Sequence, residues 1–455
     1  MVKEKSFYKQ FFGLFSFLVF QNVIVLAVNL ADNVMVGSYS ETALSGVAAV
    51  NQIQFVYLQI TMALGDTLVV LGSQYWGKGR TNEIKKLAAS AAATAVFIGF
   101  LLFVAALLFP YGIVHLFTDS EDIIAEGVKY LQLIKFTYLV YALTNVLLAS
   151  MRSTENVKIA FYVSLSTLVI NCSINYLLIN GNLGFPKLGV TGAAVGTLSA
   201  RIVELIIVML YIFLADKKLH IKPRDFIKPD REFFGDYLKT SVNFIVTAAL
   251  FGVATAMQTV ILGHMQDSAI AANSIANALY QLTKVAFVGA SSAASVMIGI
   301  AIGKEDLKSV REYAKTLQII FLIIGAVMSV SLYFLRIPFL GMYSLSDETY
   351  RLANGFIIVL CFTGMGTAYE MPVLCGIVRG GGDSRFLVIN DFISIWLIVL
   401  PLSYLAAFVF KWSPIAVVLC LNSDQIFKCA AAAIKCNSFT WIKKLTKDEN
   451  TLIKQ

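Results

Sequence analysis

FFGLFSFLVFQNVIVLAVNLADNVMVG, Phe11 to Gly37, is the stretch whose reading decides the fold. At roughly 1.5 Å per residue it is long enough, as a helix, to cross a hydrocarbon core of about 30 Å. It also contains an acid, Asp32, and placing an Asp near the centre of a spanning helix costs about 3 kcal/mol. Asn22, Asn29, Asp32 and Asn33 share one side of such a helix, while Val23, Leu26, Leu30 and Val34 lie opposite and can face lipid or neighbouring helices. A polar stripe carrying one acid on an apolar span points to a wet cavity and to an ion or proton path. The structural alternative is an Asp tied to Asn partners for helix packing alone.

The whole chain has the same character. Of its 455 residues 58% are hydrophobic and 14% charged, against about 25% charged in soluble domains, so the expected class is an all-α polytopic membrane protein. Charged punctuation divides it into twelve transmembrane helices, expected at 11–37, 44–74, 87–109, 127–149, 159–180, 190–214, 238–263, 269–300, 315–335, 353–377, 386–410 and 413–435. The apolar segment after the short charged lead is too long for the core of a cleaved signal peptide, and none is expected. The six cysteines fall in or beside apolar segments without a C-x-x-C pair, which reads as packing and neither disulfides nor metal.

Bases collect in alternate loops: Lys78, Arg80, Lys85 and Lys86; Arg152 and Lys158; the run from Lys217 to Lys239; Lys304, Lys308, Arg311 and Lys315; Arg379 and Arg385. By the positive-inside rule both termini and these loops are expected in the cytoplasm of a multi-pass cell-membrane protein. Basic loops against anionic lipid account for the net charge of +8, and no nucleic-acid partner is expected.

The chain also repeats. A shift of 226 residues superposes Gly37 on Gly263, Ala43 on Ala269, Asn51 on Asn277 and Gly77-Lys78 on Gly303-Lys304. Each half has six helices, an even number, so both enter from the same side as parallel repeats, an arrangement that transporters use with the site at the repeat interface. The expected organisation is an amino-terminal lobe 1–214, a basic linker 215–237, a carboxy-terminal lobe 238–437 and a cytoplasmic tail 438–455. The repeat aligns Asp32 with Gln258 and Asn29 with Thr255. The acid therefore belongs to one half only, which favours a functional role.

Other intramembrane polar residues extend the candidate set. Asn171 and Asn175 lie one helical turn apart, and Thr197 follows a run of small residues beginning at Gly189 that permits close helix approach. Asn supplies both a carbonyl acceptor and an amide donor, suited to a protonated carboxyl or to the oxygen shell of sodium. Lys284 and Glu370 are deep in the second half; either they meet as an ion pair or Glu370 binds a cationic substrate. Asp66, Asp391 and Asp424, nearer helix ends, read as structural, and Glu204 as a local partner of Arg201. His115, His220 and His264 are scattered and no catalytic or nucleotide-binding motif is present, so no enzyme activity and no cofactor are expected, and an ion gradient is left as the energy source.

Ala31 to Gly37, Ser73-Gln74-Tyr75-Trp76-Gly77-Lys78, Gly189 to Thr197 and Arg379-Gly380-Gly381-Gly382-Asp383 together resemble the multidrug and toxic compound extrusion (MATE) family across the whole chain. The resemblance implies two six-helix lobes in a V and export of cationic amphipathic compounds against inward flow of protons or sodium. It implies coupling at Asp32, with Asn171, Asn175 and Thr197 around it. Asn29 and Asn33 complete the expected coupling set, and Asn22, Gln258, Lys284 and Glu370 the expected substrate cavity. Asn175 departs from the family pattern, in which many relatives carry Asp; a single carboxylate makes a poorer sodium cage, so protons are expected ahead of sodium. Lys284 also departs, because a buried cation repels cationic drugs. The expected partners are a small-molecule substrate and membrane lipid, with the protein acting as a monomer. The second reading is a flippase for lipid-linked saccharides, for which Lys284, Lys135 and Arg201 are the deep bases on offer.

Overall fold

A computed structural model describes residues 2–226, 229–265, 267–343 and 345–447. Residues 227–228 of the expected linker and 448–455 of the expected tail lie outside the described residues. The described residues are helical with no strand, and twelve helices are long and apolar enough to cross a membrane. They are α1 Lys5–Tyr39, α2 Glu41–Gly77, α3 Thr81–Leu108, α4 Glu121–Ser153, α5 Lys158–Leu178, α6 Val190–Ala215, α7 Arg231–Gly263, α8 Ser268–Gly303, α9 Leu307–Leu340, α10 Asp347–Val378, α11 Ser384–Val409 and α12 Pro414–Ser438. Each matches an expected span, and most run a turn or more beyond it. The extra turns, such as Lys5–Gln10 of α1 and the start of α7 from Arg231, carry charged residues and so no apolar signal.

Packing divides the chain into two compact units. One comprises Phe20–Gly72 and Gly79–Ile245; the other Met1–Val19, Ser73–Lys78 and Val246–Gln455. The boundaries cut through α1, α2 and α7, so these three helices contribute to both units.

The first unit has its core where α2, α3, α4, α5 and α6 converge, among Val47, Val50, Tyr57, Leu131, Ile134, Tyr138, Ile179 and Ala193. Its helices approach closely where small residues line up. A Cβ on Gly192 of α6 would lie 2.7 Å from the backbone of Leu178 on α5. The outward side of α1 is apolar and open, with Leu30 at 53% and Val34 at 70% exposure, as a lipid-facing surface requires. Two tyrosines on α2 and α4, Tyr57 and Tyr138, are buried together, and the Tyr57 hydroxyl donates to the Tyr138 carbonyl.

The second unit is built round α8, the most enclosed span, which packs against α9 and α10. Gly77 and Gly303, the two glycines that the internal repeat superposes, are in contact here: a Cβ on either would come within about 3 Å of the other's Cα. Beside them the Gln74 amide grips the chain after α12, donating to the Lys443 carbonyl at 3.1 Å and accepting from the Leu445 N–H at 2.9 Å. Trp441 in the same segment is fully buried over Gly381 and donates Nε1–H to the Cys436 carbonyl at 2.8 Å. Three spans of this unit depart from α-helical winding, one of them α12, which is broken by a turn at Asn422 and Ser423. α10 widens to π-helical turns over Pro372–Val378, just after Glu370, and α11 does so over Phe392–Val399, just after Asp391. Pro372 cannot donate to the preceding turn, which accounts for the first of these, and such wide turns recur at functional positions.

Candidate functional site

In the first unit three spans, α4, α5 and α6, bring polar side chains to the neighbourhood of Asp32 on α1. Asn175 of α5 donates from Nδ2 to Asp32 Oδ1 at 2.6 Å and shares the same amide with Asn171 Oδ1 at 3.2 Å. Asn171 in turn donates from Nδ2 to Thr197 Oγ1 of α6 at 3.3 Å. Both asparagines are buried, at 1% and 0% exposure, so this chain of amides is fixed by packing as well as by hydrogen bonds. Tyr130 of α4 closes the cluster; it is 4% exposed, with its hydroxyl beside Thr197 and within the field of Asp32.

Gly196 explains how Asn175 fits. A Cβ at 196 would overlap Asn175 Oδ1, so only glycine leaves room for the amide. The result is a buried carbonyl oxygen, Asn175 Oδ1, without a hydrogen-bond partner among the described residues. An orphaned acceptor of this kind costs about 1–3 kcal/mol, and one beside an ionisable group calls for an explanation.

The charges around Asp32 are arranged to leave it without an ion pair. Arg201, one turn beyond Thr197 on α6, is the base whose field reaches Asp32, but its Nη1 is bonded to Glu204 Oε2 at 2.7 Å. Its guanidinium also stacks 4.7 Å from the centre of the Tyr141 ring. Asp32 is therefore held by a neutral amide, with a compensated ion pair behind it.

The remaining residues of α1 do not join this cluster. Asn29 and Asn33 are exposed and Asn22 is partly exposed, and among the described residues their side chains make no hydrogen bond. Their shared helix side does not reach α5 and α6; only Asp32 does.

The second unit holds a different set. Lys428 of α12, 4% exposed, bridges Asp391 of α11 at 2.9 Å and Asp424 at 3.0 Å. Lys428 is not among the residues singled out from the sequence, although its spacing of four from Asp424 was a usable signal. Lys284 and Glu370 do not form the expected ion pair. The Lys284 ammonium lies 5.1 Å from the centre of the Phe251 ring, and neither it nor the Glu370 carboxylate has a hydrogen bond or ion pair among the described residues. Gln258, the counterpart of Asp32 in the repeat, donates to the Leu421 carbonyl at 3.4 Å, so its position ties α7 to α12. Nearby, the Tyr280 hydroxyl donates to Thr367 Oγ1 at 3.0 Å, and that hydroxyl donates to Gln425 Oε1 at 2.6 Å.

Asp66 accepts from Arg152 Nη2 at 2.9 Å.

The chain is similar to known proteins along most of its length. The family model MatE matches residues 18–177 and again residues 244–405, so one model fits both halves of the internal repeat. The "Probable multidrug resistance protein YoeA" of Bacillus subtilis is 22% identical over 396 residues, covering 85% of this chain and 84% of its own. The "Multidrug resistance protein MdtK" of Photorhabdus laumondii is 24% identical over 383 residues, covering 83% of each chain. Among solved structures, a mutant form of the Vibrio cholerae MATE transporter VcmN superposes with a TM-score of 0.87 at 17% identity, over 97% of this chain and 98% of that one.

Proposed function

This chain belongs to the MatE family, and we propose that it is a secondary active exporter of small amphipathic compounds, driven by ion antiport and coupled through Asp32. The observation that carries the proposal is the 2.6 Å hydrogen bond from Asn175 to Asp32 within the spanning helices. A carboxylate can accept that bond. A carboxylic acid must also donate one, and Asn175 can receive it by turning its amide so that Oδ1, now without a partner, faces Asp32. Protonation thus removes a charge and reverses the polarity of one buried hydrogen bond. Both changes bias the packing of α1 against α5 and α6, and a two-state helix packing is what alternating access requires.

The ion we assign is the proton. The oxygens around Asp32 are otherwise neutral, from Asn171, Asn175 and Thr197, and hard cations favour more anionic oxygen than one carboxylate supplies. The basic loops support cytoplasmic termini in the cell membrane, and each unit's own core supports a monomer in contact with lipid. A flippase for lipid-linked saccharides fits less well. Pyrophosphate asks for several bases, and Arg201 and Lys428 are already committed to ion pairs.

The proposal is tested by proton release. Adding tetraphenylphosphonium to weakly buffered, detergent-solubilised protein is expected to acidify the solution with wild type and leave it unchanged with Asp32→Asn. Equal release from both proteins would rule out Asp32 as the coupling group.

A further inference from the structure

Two sequence motifs play no part in the site around Asp32: Ser73-Gln74-Tyr75-Trp76-Gly77-Lys78 at the end of α2, and Arg379-Gly380-Gly381-Gly382-Asp383 between α10 and α11. Within the second unit one segment, residues 439–447 after α12, grips both. It turns at Phe439, whose φ of +56° is left-handed, and lays Trp441 and Lys443 on the glycine motif. The Lys443 N–H donates to the Gly381 carbonyl at 2.9 Å, and the Lys443 ammonium lies 2.8 Å from Asp383. The glycines make the room. A Cβ on Gly381 would overlap the Trp441 ring, and one on Gly382, itself at φ +103°, would lie 3.1 Å from Lys443 and Leu445.

The same segment takes hold of α2. Gln74, fully buried, gives both ends of its side-chain amide to the backbone of Lys443 and Leu445, and Tyr75 Oη accepts from the Lys447 N–H at 3.3 Å. Lys444 pairs with Glu305 at 2.9 Å, but Glu305 is exposed and such a pair adds little. The last turn of α2 meets α8 at glycines: the Ser73 hydroxyl occupies the place of a Cβ on Gly299, and Gly77 touches Gly303. Contacts between residues this small bury little apolar surface and hold weakly by themselves.

We infer that residues 439–447 are a strap that latches the last turn of α2 onto α8 and must open before that turn can leave. The inference rests on the export proposed above and gives it a conformational latch. α2 contributes to both units, and alternating access needs such a helix to bend or to let go at one end. Hydrogen bonds are directional, so a small displacement of Gln74 loses both of its bonds to the strap at once.

Ser73 is buried, so Ser73→Cys reports when the turn lifts. The full-length protein in proteoliposomes is treated with N-ethylmaleimide, and labelling at residue 73 is read by peptide mass spectrometry, with tetraphenylphosphonium as the transported cation. With the strap intact, labelling is expected to be slow. Gln74→Ala and Trp441→Ala should each speed it about 10-fold or more, and Trp441→Phe, which keeps a ring over Gly381, should not. A proton gradient imposed with the cation present should speed labelling in the strap-intact protein and not after Asp32→Asn. Thermal melting shows which variants are folded, and Gln74→Ala carries the test alone if Trp441→Ala does not fold. Labelling that Gln74→Ala leaves unchanged, or that active transport leaves unchanged, overturns the inference. If no gradient drives transport yet Gln74→Ala speeds labelling, the export reading fails and the strap stands. If Asp32-dependent transport proceeds while Gln74→Ala labels no faster than the strap-intact protein, the strap fails and export stands.

Discussion

Asn175 donates to Asp32 across 143 residues of sequence, and its other amide atom, Oδ1, is buried against Gly196 with no partner among the described residues. The pair joins α1 to α5 by a hydrogen bond whose direction depends on a single proton. Everything proposed for coupling follows from that dependence.

Gly196→Ala is the sharpest test of the amide's placement. The added methyl overlaps Asn175 Oδ1, and overpacking of this kind costs about 1–3 kcal/mol. Gradient-driven transport is expected to fall at least 10-fold with the protein still folded. Combining it with Asn175→Ser, which removes the obstructed atom, should recover melting temperature relative to Gly196→Ala alone. Additive losses in the double variant would show that the two residues do not meet.

Asn175→Asp places a second acid beside Asp32. Two carboxylates in one buried site repel each other strongly when both are ionised and no cation lies between them. Two anionic oxygens also suit a hard cation better than one. This variant is expected to gain sodium-dependent thermal stabilisation that wild type lacks, measured by melting in sodium against choline chloride.

Lys428 holds two acids, Asp391 and Asp424, from the interior of the second unit. Removing one partner of a buried ion pair costs about 3–5 kcal/mol because the remaining charge is stranded. Lys428→Met is expected to lower the melting temperature strongly, and the triple variant with Asp391→Asn and Asp424→Asn should restore much of it. Loss without recovery would mean that Lys428 acts through packing.

The segment after α12 gives a pH dependence of known sign. Asp383, in the turn between α10 and α11, sits 2.8 Å from each of Lys435 and Lys443. Burial alone raises a carboxyl pKa, but here the two ammonium groups outweigh it and hold Asp383 below the ordinary carboxylate range. Its stabilisation is therefore complete above the unfolded value of about 4 and lost as pH falls through the lower folded value. Asp383→Asn should melt lower than wild type at neutral pH and show a flatter decline on acidification below about pH 4.

The spans were legible in the sequence because hydrocarbon thickness imposes length and apolarity directly. The repeat was legible too, since Gly77 and Gly303 are constrained by the same close approach. The extra helical turns at Lys5–Gln10 and from Arg231 were not, because helix beyond the bilayer can be polar on every side. Asp32 stood out by its cost in an apolar segment, and the spacing of Asn171 and Asn175 showed a shared face. That α1 presents only Asp32 to that face, with Asn29 and Asn33 exposed, depends on how α1 is rotated against α5, which one helix cannot specify. Lys428 was hidden for the same reason. Its partner Asp424 is local, but Asp391 comes from another span. For Lys284 and Glu370 the sequence left open an ion pair or a substrate contact at Glu370, because which spans face each other is not written in either one, and the structure forms no such pair.

The most direct test of the central claim is dye efflux from everted vesicles, comparing wild type with Asp32→Asn under a proton gradient and, separately, a sodium gradient. Efflux is expected to be driven by the proton gradient alone and lost in Asp32→Asn, with the variant still folded and inserted. Full proton-driven efflux by Asp32→Asn would contradict it.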